Sequence, residues 1–282
     1  MKRNFWLLLA FGILALLVGI PKAPAAPAPH FKKVMIVIFE NMDYDAPLER
    51  PFFTKLAHEG ALLSNFYAET HPSQPNYIAL VSGSTHGVTG DGNVNLDAQH
   101  LGDLLEAKGK QWKTYAEAYP GGCFTKAQSK TYVRKHVPFM SFRNVQASAE
   151  RCGRIVNSAD LQTDLKNGTL PDFSLYIPDL NNDGHDTNAR YADDWFSKAF
   201  GPLIANQELM KDLLIIATFD ESSLFGGNHI YTAFYGAGVR PGAVSTTEYT
   251  HYSILRTIED ELGLDTLGLN DAKASAITDI WR

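Results

Sequence analysis

The sequence predicts an α/β fold, a layered domain around a mostly parallel sheet, on three observations. Continuous apolar, β-branched runs recur along the chain: KVMIVIF (33–39), FSLYIP (173–178) and LLIIATF (213–219). A run that is apolar at every position, rather than at every second one, belongs to a strand covered on both faces. Between these runs lie helical patterns, several closed by glycine, and strands that alternate with helices pair in parallel through crossovers. The third observation is size: 282 residues, 45% hydrophobic and 20% charged, supply one large core and leave too little for a second full domain.

The opening MKRNFWLLLAFGILALLVGI sets Lys2 and Arg3 before an apolar stretch from Phe5 to Ile20, and PKAPAAPAP follows with small-residue sites between Ala23 and Ala26. This is the pattern of a secretory signal over residues 1–26, cleaved near Ala25, then a linker over 27–32 and one catalytic domain over 33–282. An uncleaved anchor is the alternative, disfavoured because the stretch is slightly short for a bilayer span. The expected location is secreted or periplasmic.

KVMIVIF is the first strand, and PFFTKLAHEG is a helix stopped by Gly60. In HPSQPNYIALVSGS, Pro72 and Pro75 stiffen the backbone around Ser73, and a buried helix is expected to begin near Asn76. DAQHLGDLLEAKG is a helix ending at Gly109, and KTYAEAY a weaker strand. Residues 121–167 are less regular and read as an excursion over one edge of the sheet. That excursion carries Cys123 and Cys152, which an oxidising compartment would pair; two buried free thiols are the alternative. ARYADDWFSKAFGPLIA and YSILRTIEDELG, stopped by Gly263, complete the helices.

The net charge is −6 with a pI near 5.8, and no Lys/Arg run is present to follow a phosphate backbone, so nucleic acid is excluded as an expected partner. The chemistry is sought beyond the carboxyl ends of the strands, where open parallel sheets bind ligands. Glu40-Asn41 follow KVMIVIF, DLNNDGHD with Asp179, Asp183, His185 and Asp186 follows FSLYIP, and Asp220-Glu221 follow LLIIATF. Any one acidic pair reads as a turn or a helix cap. Together they would repel one another unless a cation or a shared proton compensates; a metal is the simplest explanation, and an oxygen-rich set without thiolates suits a hard divalent ion such as Mg²⁺, Ca²⁺ or Mn²⁺. A hydroxyl at a helix N-terminus, Ser73, lies where backbone N–H groups favour an anion such as a phosphoryl group; a plain N-cap is the alternative.

IFENMDY, HPSQPNYIALVSGS, PDLNNDGHD, TFDESS, NHIYTAFYGAGVRPG and YTHYSILRTIEDELGL resemble, in that order, motifs of the bacterial and fungal phosphoesterase family of acid phosphatases and phospholipases C, within the alkaline phosphatase superfamily. The resemblance implies a three-layer α/β/α sandwich. It implies that Ser73 is the nucleophile and that Glu40, Asn41, Asp220 and Glu221, with Ser73, hold one divalent metal. It places Asp183 and His185 in the catalytic group, His185 as donor to the leaving alkoxide, and Asn76, Lys135, His136 and His251 around the phosphate. His71 and His229 are weaker candidates, and His30, His58, His86 and His100 are read as outside the site. The implied reaction is phosphate monoester hydrolysis through a phosphoserine. Compact bacterial relatives suggest a phosphoinositide substrate, and a lipid substrate would bring the apolar and basic side chains of Phe124–Arg143 against a membrane as a peripheral contact. The alternatives are a phospholipase C-type phosphodiesterase, a reading the short chain disfavours, and, more distantly, a non-catalytic phosphate or metal binder.

Overall fold

The computed structural model describes residues 28–282; the expected signal segment lies outside the described residues. Eight strands form one sheet: β1 (Lys33–Phe39), β2 (Ala61–Leu63), β3 (Trp112–Ala116), β4 (Ile155–Asn157), β5 (Phe173–Ile177), β6 (Leu213–Phe219), β7 (Thr232–Gly236) and β8 (Ala243–Ser245). Their order across the sheet is β8-β2-β7-β6-β1-β5-β3-β4. All run one way except β7, which is antiparallel to both neighbours, β2 and β6. The expected mostly parallel α/β sheet is therefore present.

Helices cover both faces: α1 (Pro51–Glu59), α2 (Ser73–Ser82), α3 (Leu101–Ala107), α4 (Asp160–Asn167), α5 (Ala189–Ile204) and α6 (His251–Glu261). Successive strand side chains point to opposite faces, and β5 shows what each face meets. Phe173 reaches Phe139 at 6.2 Å on one side, whereas Tyr176 packs on Phe200 of α5 at 5.0 Å on the other. Phe39 at the end of β1 is wedged between Phe53 of α1 and Phe196 of α5, both at 5.0 Å. Truncating such a buried aromatic costs about 3–5 kcal/mol.

Register positions the site. β1 and β6 pair residue for residue from Lys33 opposite Leu213 to Phe39 opposite Phe219. Glu40 and Asp220 consequently leave the sheet side by side, and the Asp220 N–H donates to the Phe39 carbonyl at 2.9 Å. The Glu40 N–H donates to the Asp183 carbonyl at 3.0 Å, which draws the loop after β5 to the same place. Both faces of β1 are buried, so burial alone does not set this register; a one-residue slip would carry Phe39 away from Phe53 and Phe196, and that packing holds it.

Some boundaries differ from the sequence reading. α2 begins at Ser73 rather than near Asn76, and Pro75 is accommodated because the first turn of a helix has no intrahelical use for its N–H. All ten α2 residues are buried, and Gly83 ends the helix with φ 68°. The excursion after Gly121 does more than pass over the edge: it supplies the edge strand β4, and Cys123 and Cys152 are joined across it with Cα atoms 5.4 Å apart. The domain's packing starts before β1, since Phe31 is buried and His30 stacks on Trp281 at 4.8 Å. Among the described residues no helix is long and apolar enough to cross a membrane.

Candidate active site

Ser73 is the first residue of α2, and Pro72, not Ser73, occupies the N-cap position, with no side-chain cap. The hydroxyl is therefore free of the capping role; its Oγ donates to Glu40 Oε2 at 3.0 Å. One turn on, at the i+4 spacing that shares a helix face, the Tyr77 hydroxyl donates to Glu40 Oε1 at 2.5 Å. The Tyr77 ring stacks on His136, centroids 5.0 Å apart and nearly parallel at 9°.

Asn41 bends the chain after β1 with φ 43°, a left-handed conformation that asparagine tolerates. Its backbone N–H donates to Asp220 Oδ1 at 3.1 Å. Its amide points at two carboxylates, 3.2 Å from Asp220 Oδ1 and 3.1 Å from Glu40 Oε2. Turned one way, the amide nitrogen donates to both. Turned the other way, its oxygen completes an all-oxygen cluster suited to a hard cation.

His136 lies between two carboxylates, Nε2 3.1 Å from Glu40 Oε1 and Nδ1 3.5 Å from Asp183 Oδ2. The Nε2 contact lacks hydrogen-bond alignment, and His136 Nε2, Asp183 Oδ2 and Asp220 Oδ2 are all buried without a partner. Buried polar atoms without partners are rare and costly. Glu40, His136 and Asp183 each offer a ligand atom within 4.8 Å of the others. These orphaned atoms and this donor chemistry fit a divalent cation.

Electrostatics carry the same message. Burial, then Asp220 and Asp183, raise the Glu40 carboxyl well above its ordinary range. Asp183 and Asp220 are raised too, burial being the main cause for each. Glu221 is pushed up to about 8 by burial and then by Asp220 and Asp91. Burial, with Lys135 and His185 nearby, holds His136 well below the usual imidazole range, so it is neutral. Without a cation, these carboxyls resist ionisation together.

The remaining expected residues are placed as follows. Glu221 Oε2 meets His71 Nδ1 at 3.0 Å and Asn76 Nδ2 at 3.3 Å. Asn76 otherwise serves the preceding loop, its oxygen accepting the N–H groups of Glu69 and Thr70 at 3.0 Å each. Lys135 Nζ bonds Asp91 Oδ2 at 2.7 Å, and the other Asp91 oxygen accepts the Gln74 N–H at 3.0 Å. Burial lowers the Lys135 pKa, but the Asp91 contact and the fields of Glu40 and Asp220 outweigh it, so the ammonium is retained. His185 stands one-third exposed at the rim, bonded to Asp186 at 2.7 Å, its ring 6.2 Å from that of His136.

His251 is not brought to the carboxylates: its Nε2 bonds the Phe219 carbonyl at 3.0 Å, beneath Asp220, and burial lowers it to about 4. His229, stacked between Tyr44 and Tyr67, bonds the Ser64 carbonyl. Within Phe124–Arg143, Phe139 and Phe142 are core residues, and Arg134 turns inward to the carbonyls of Val94, Thr125 and Met140. Tyr77 and Asp91 were missed by sequence reasoning. A tyrosine in an apolar helix reads as core, and nothing local marks Asp91.

A model of the phosphoesterase family matches residues 28–265. The chain is 34% identical over 261 residues to a probable acid phosphatase of Kluyveromyces lactis, covering 88% of this chain and 62% of the relative. It is 35% identical to an acid phosphatase of Aspergillus fumigatus, covering 88% and 58%, so it spans about three-fifths of the length of these fungal relatives. It is 37% identical to a phosphatidylinositol-3-phosphatase of Mycobacterium tuberculosis, covering 97% of this chain and 91% of that one. Among solved structures, an alkaline phosphatase superfamily protein from Vibrio parahaemolyticus aligns with TM-score 0.63 at 15% identity, over 90% of this chain and 72% of the other. A phosphonate monoester hydrolase from Silicibacter pomeroyi aligns with TM-score 0.58 at 12% identity, over 89% and 78%. Both likenesses are of fold, an α/β/α sandwich.

Proposed function

This chain belongs to the phosphoesterase family, and on that premise we propose that it is an exported, metal-dependent phosphomonoesterase that works through a phosphoserine, with phosphoinositides among its substrates. The observation that carries this reading is Ser73 Oγ at the head of a buried helix, 3.0 Å from Glu40 Oε2, where a cap was the alternative use of the hydroxyl. The names of the acid phosphatase relatives and of the phosphatidylinositol-3-phosphatase support the substrate class.

Glu40, Asn41, Asp220 and Glu221, with the Ser73 oxygen, would hold the cation. When bound, it would favour the serine alkoxide and offset phosphate charge. Ser73 Oγ attacks phosphorus in line, and Glu40 Oε2 is in place to receive the departing hydroxyl proton. His185 at the rim protonates the leaving alkoxide, the Tyr77 hydroxyl orients Glu40, and Lys135 contacts phosphoryl oxygens, whereas the buried Asn76 amide already donates to Thr70 and Glu221. Water then displaces the serine, and two inversions retain configuration at phosphorus.

The test is phosphate release from p-nitrophenyl phosphate and phosphatidylinositol 3-phosphate by wild type and Ser73→Ala, with and without chelator. Wild type should turn over, Ser73→Ala should lose at least about 10³-fold in kcat, and chelation should abolish activity until a divalent ion is restored. Equal turnover by Ser73→Ala would overturn the nucleophile. Absence of turnover in both would point to a binder, and release of an inositol bisphosphate in place of phosphate from phosphatidylinositol 3-phosphate would point to a diesterase.

A further inference from the structure

The loop that follows Glu221 reads SSLFGGN, without an ionisable side chain. At its tip Leu224 is 72% exposed and Phe225 is 95% exposed. Scattered single apolar residues on a surface are ordinary, but two in succession at a loop tip contribute nothing to folding. The base of the loop, by contrast, is tied down. Asp43 Oδ1 accepts the Ser223 N–H at 3.0 Å and the Ser223 hydroxyl at 2.7 Å, Ser222 Oγ accepts the Asn228 N–H at 3.0 Å, and the Gly226 N–H returns to the Ser223 carbonyl at 2.9 Å. Asp43 belongs to the segment carrying Glu40 and Asn41, so the same short stretch braces both the site and the loop.

The loop leaves the carboxyl end of β6, the end of the sheet where Ser73, Asp183 and His185 gather. Tyr191, 47% exposed in the first turn of α5, follows directly on the loop that holds Asp183 and His185. An exposed Leu-Phe pair and an exposed tyrosine thus both lie on segments that follow strands ending at the site's end of the sheet.

We propose that Leu224 and Phe225 form an apolar anchor that inserts into a lipid surface and seats the mouth of the site against phosphorylated headgroups. This rests on the phosphomonoesterase reading and narrows its substrate to a monoester presented by a membrane. A lipid surface is the occupant because the tip carries no charge that would have to be dehydrated, and because a headgroup phosphate can reach a site at the end of the sheet only if that end faces the membrane. The overall charge of −6 provides no attraction to anionic lipid, so attachment depends on the apolar pair and on headgroup capture.

The experiment is vesicle co-sedimentation and turnover with wild type and the double variant Leu224→Ser/Phe225→Ser. The vesicles are phosphatidylcholine, with and without phosphatidylinositol 3-phosphate, and p-nitrophenyl phosphate serves as the soluble substrate. Partition to both vesicle types should fall at least about tenfold in the variant, and vesicle turnover should fall with it, while p-nitrophenyl phosphate turnover stays within about twofold because neither side chain touches the reacting groups. A Phe225→Trp protein should show a blue-shifted emission on pure phosphatidylcholine vesicles. Equal partition by wild type and variant, no partition by either, or an unshifted tryptophan would overturn the anchor. Concentration-dependent self-association lost in the variant, without vesicle binding, would assign the patch to a second copy and also overturn it. Failure of the catalytic reading is a separate result, read as absent p-nitrophenyl phosphate turnover while partition is unaffected.

Discussion

Glu40 has a different duty at each oxygen. Oε2 receives the Ser73 hydroxyl, whereas Oε1 is held by the Tyr77 hydroxyl at 2.5 Å and flanked by His136. The carboxyl is fully buried beside two other acids, so Tyr77 offsets part of its desolvation and fixes its orientation. Tyr77→Phe should weaken divalent-metal binding by about 10- to 100-fold, the usual effect of losing a hydrogen bond to a ligand. Activity at saturating metal should largely recover, because Ser73 is untouched. Calorimetric titration with Mn²⁺ beside a metal-dependence curve of turnover measures this, and unchanged affinity would mean that the hydroxyl only fills space. Glu40 and Asp220 were legible in the sequence because each ends a strong apolar run. The clamp was not, since a tyrosine in an apolar helix looks like core until the fold shows what its hydroxyl meets.

The elements differ in the same way. β1, β5 and β6 announce themselves as runs apolar at every position, which only a strand buried on both faces requires. β2, β4 and β8 are three residues each, too short to carry any period, and depend on the sheet edges they join. Nothing in the composition of β7 signals that it alone reverses direction. The excursion bearing β4 is held by the Cys123–Cys152 bridge, 29 residues apart in sequence and at the edge of the sheet remote from β8. Replacing both cysteines by serine should cost about 2–4 kcal/mol, mainly through greater freedom of the unfolded chain. The proposed catalytic carboxylates hang from β1 and β6 at the centre of the sheet, so turnover of p-nitrophenyl phosphate below the lowered Tm should change less than about twofold. Denaturant unfolding and steady-state kinetics on the same sample separate the two effects, and a parallel loss of activity in the still-folded protein would show that the excursion helps to shape the site.

For the molecule as a whole, the charge that matters to stability extends beyond the active site. Glu259, on the inner side of α6, is fully buried with neither carboxyl oxygen hydrogen-bonded. Burial, then the neighbouring Asp271, pushes it up to about 8. Asp271 has its own donors, the N–H groups of Leu267 and Leu269, and takes none from Glu259. An exposed glutamate in the unfolded chain titrates near ~4.3, so between that pH and about 8 the folded protein holds a proton that the unfolded chain has released. Stability therefore falls as pH rises through this window, because the folded state binds more protons, and the contribution is fully present only below the unfolded value. Glu259→Gln keeps the shape and removes the titration. Any cost of its unpaired amide is the same at every pH and cannot imitate the effect. The Tm of wild type should therefore drop relative to that of Glu259→Gln at each step from about pH 5 to about pH 8, then run parallel above it. Because Glu259 lies outside the proposed metal ligands, the difference should persist when excess divalent ion is present and when it is chelated, which distinguishes it from titration of Glu40, Asp183, Asp220 and Glu221. Parallel Tm curves across the whole range would mean that Glu259 is charged in the fold, with a partner that its buried position does not reveal.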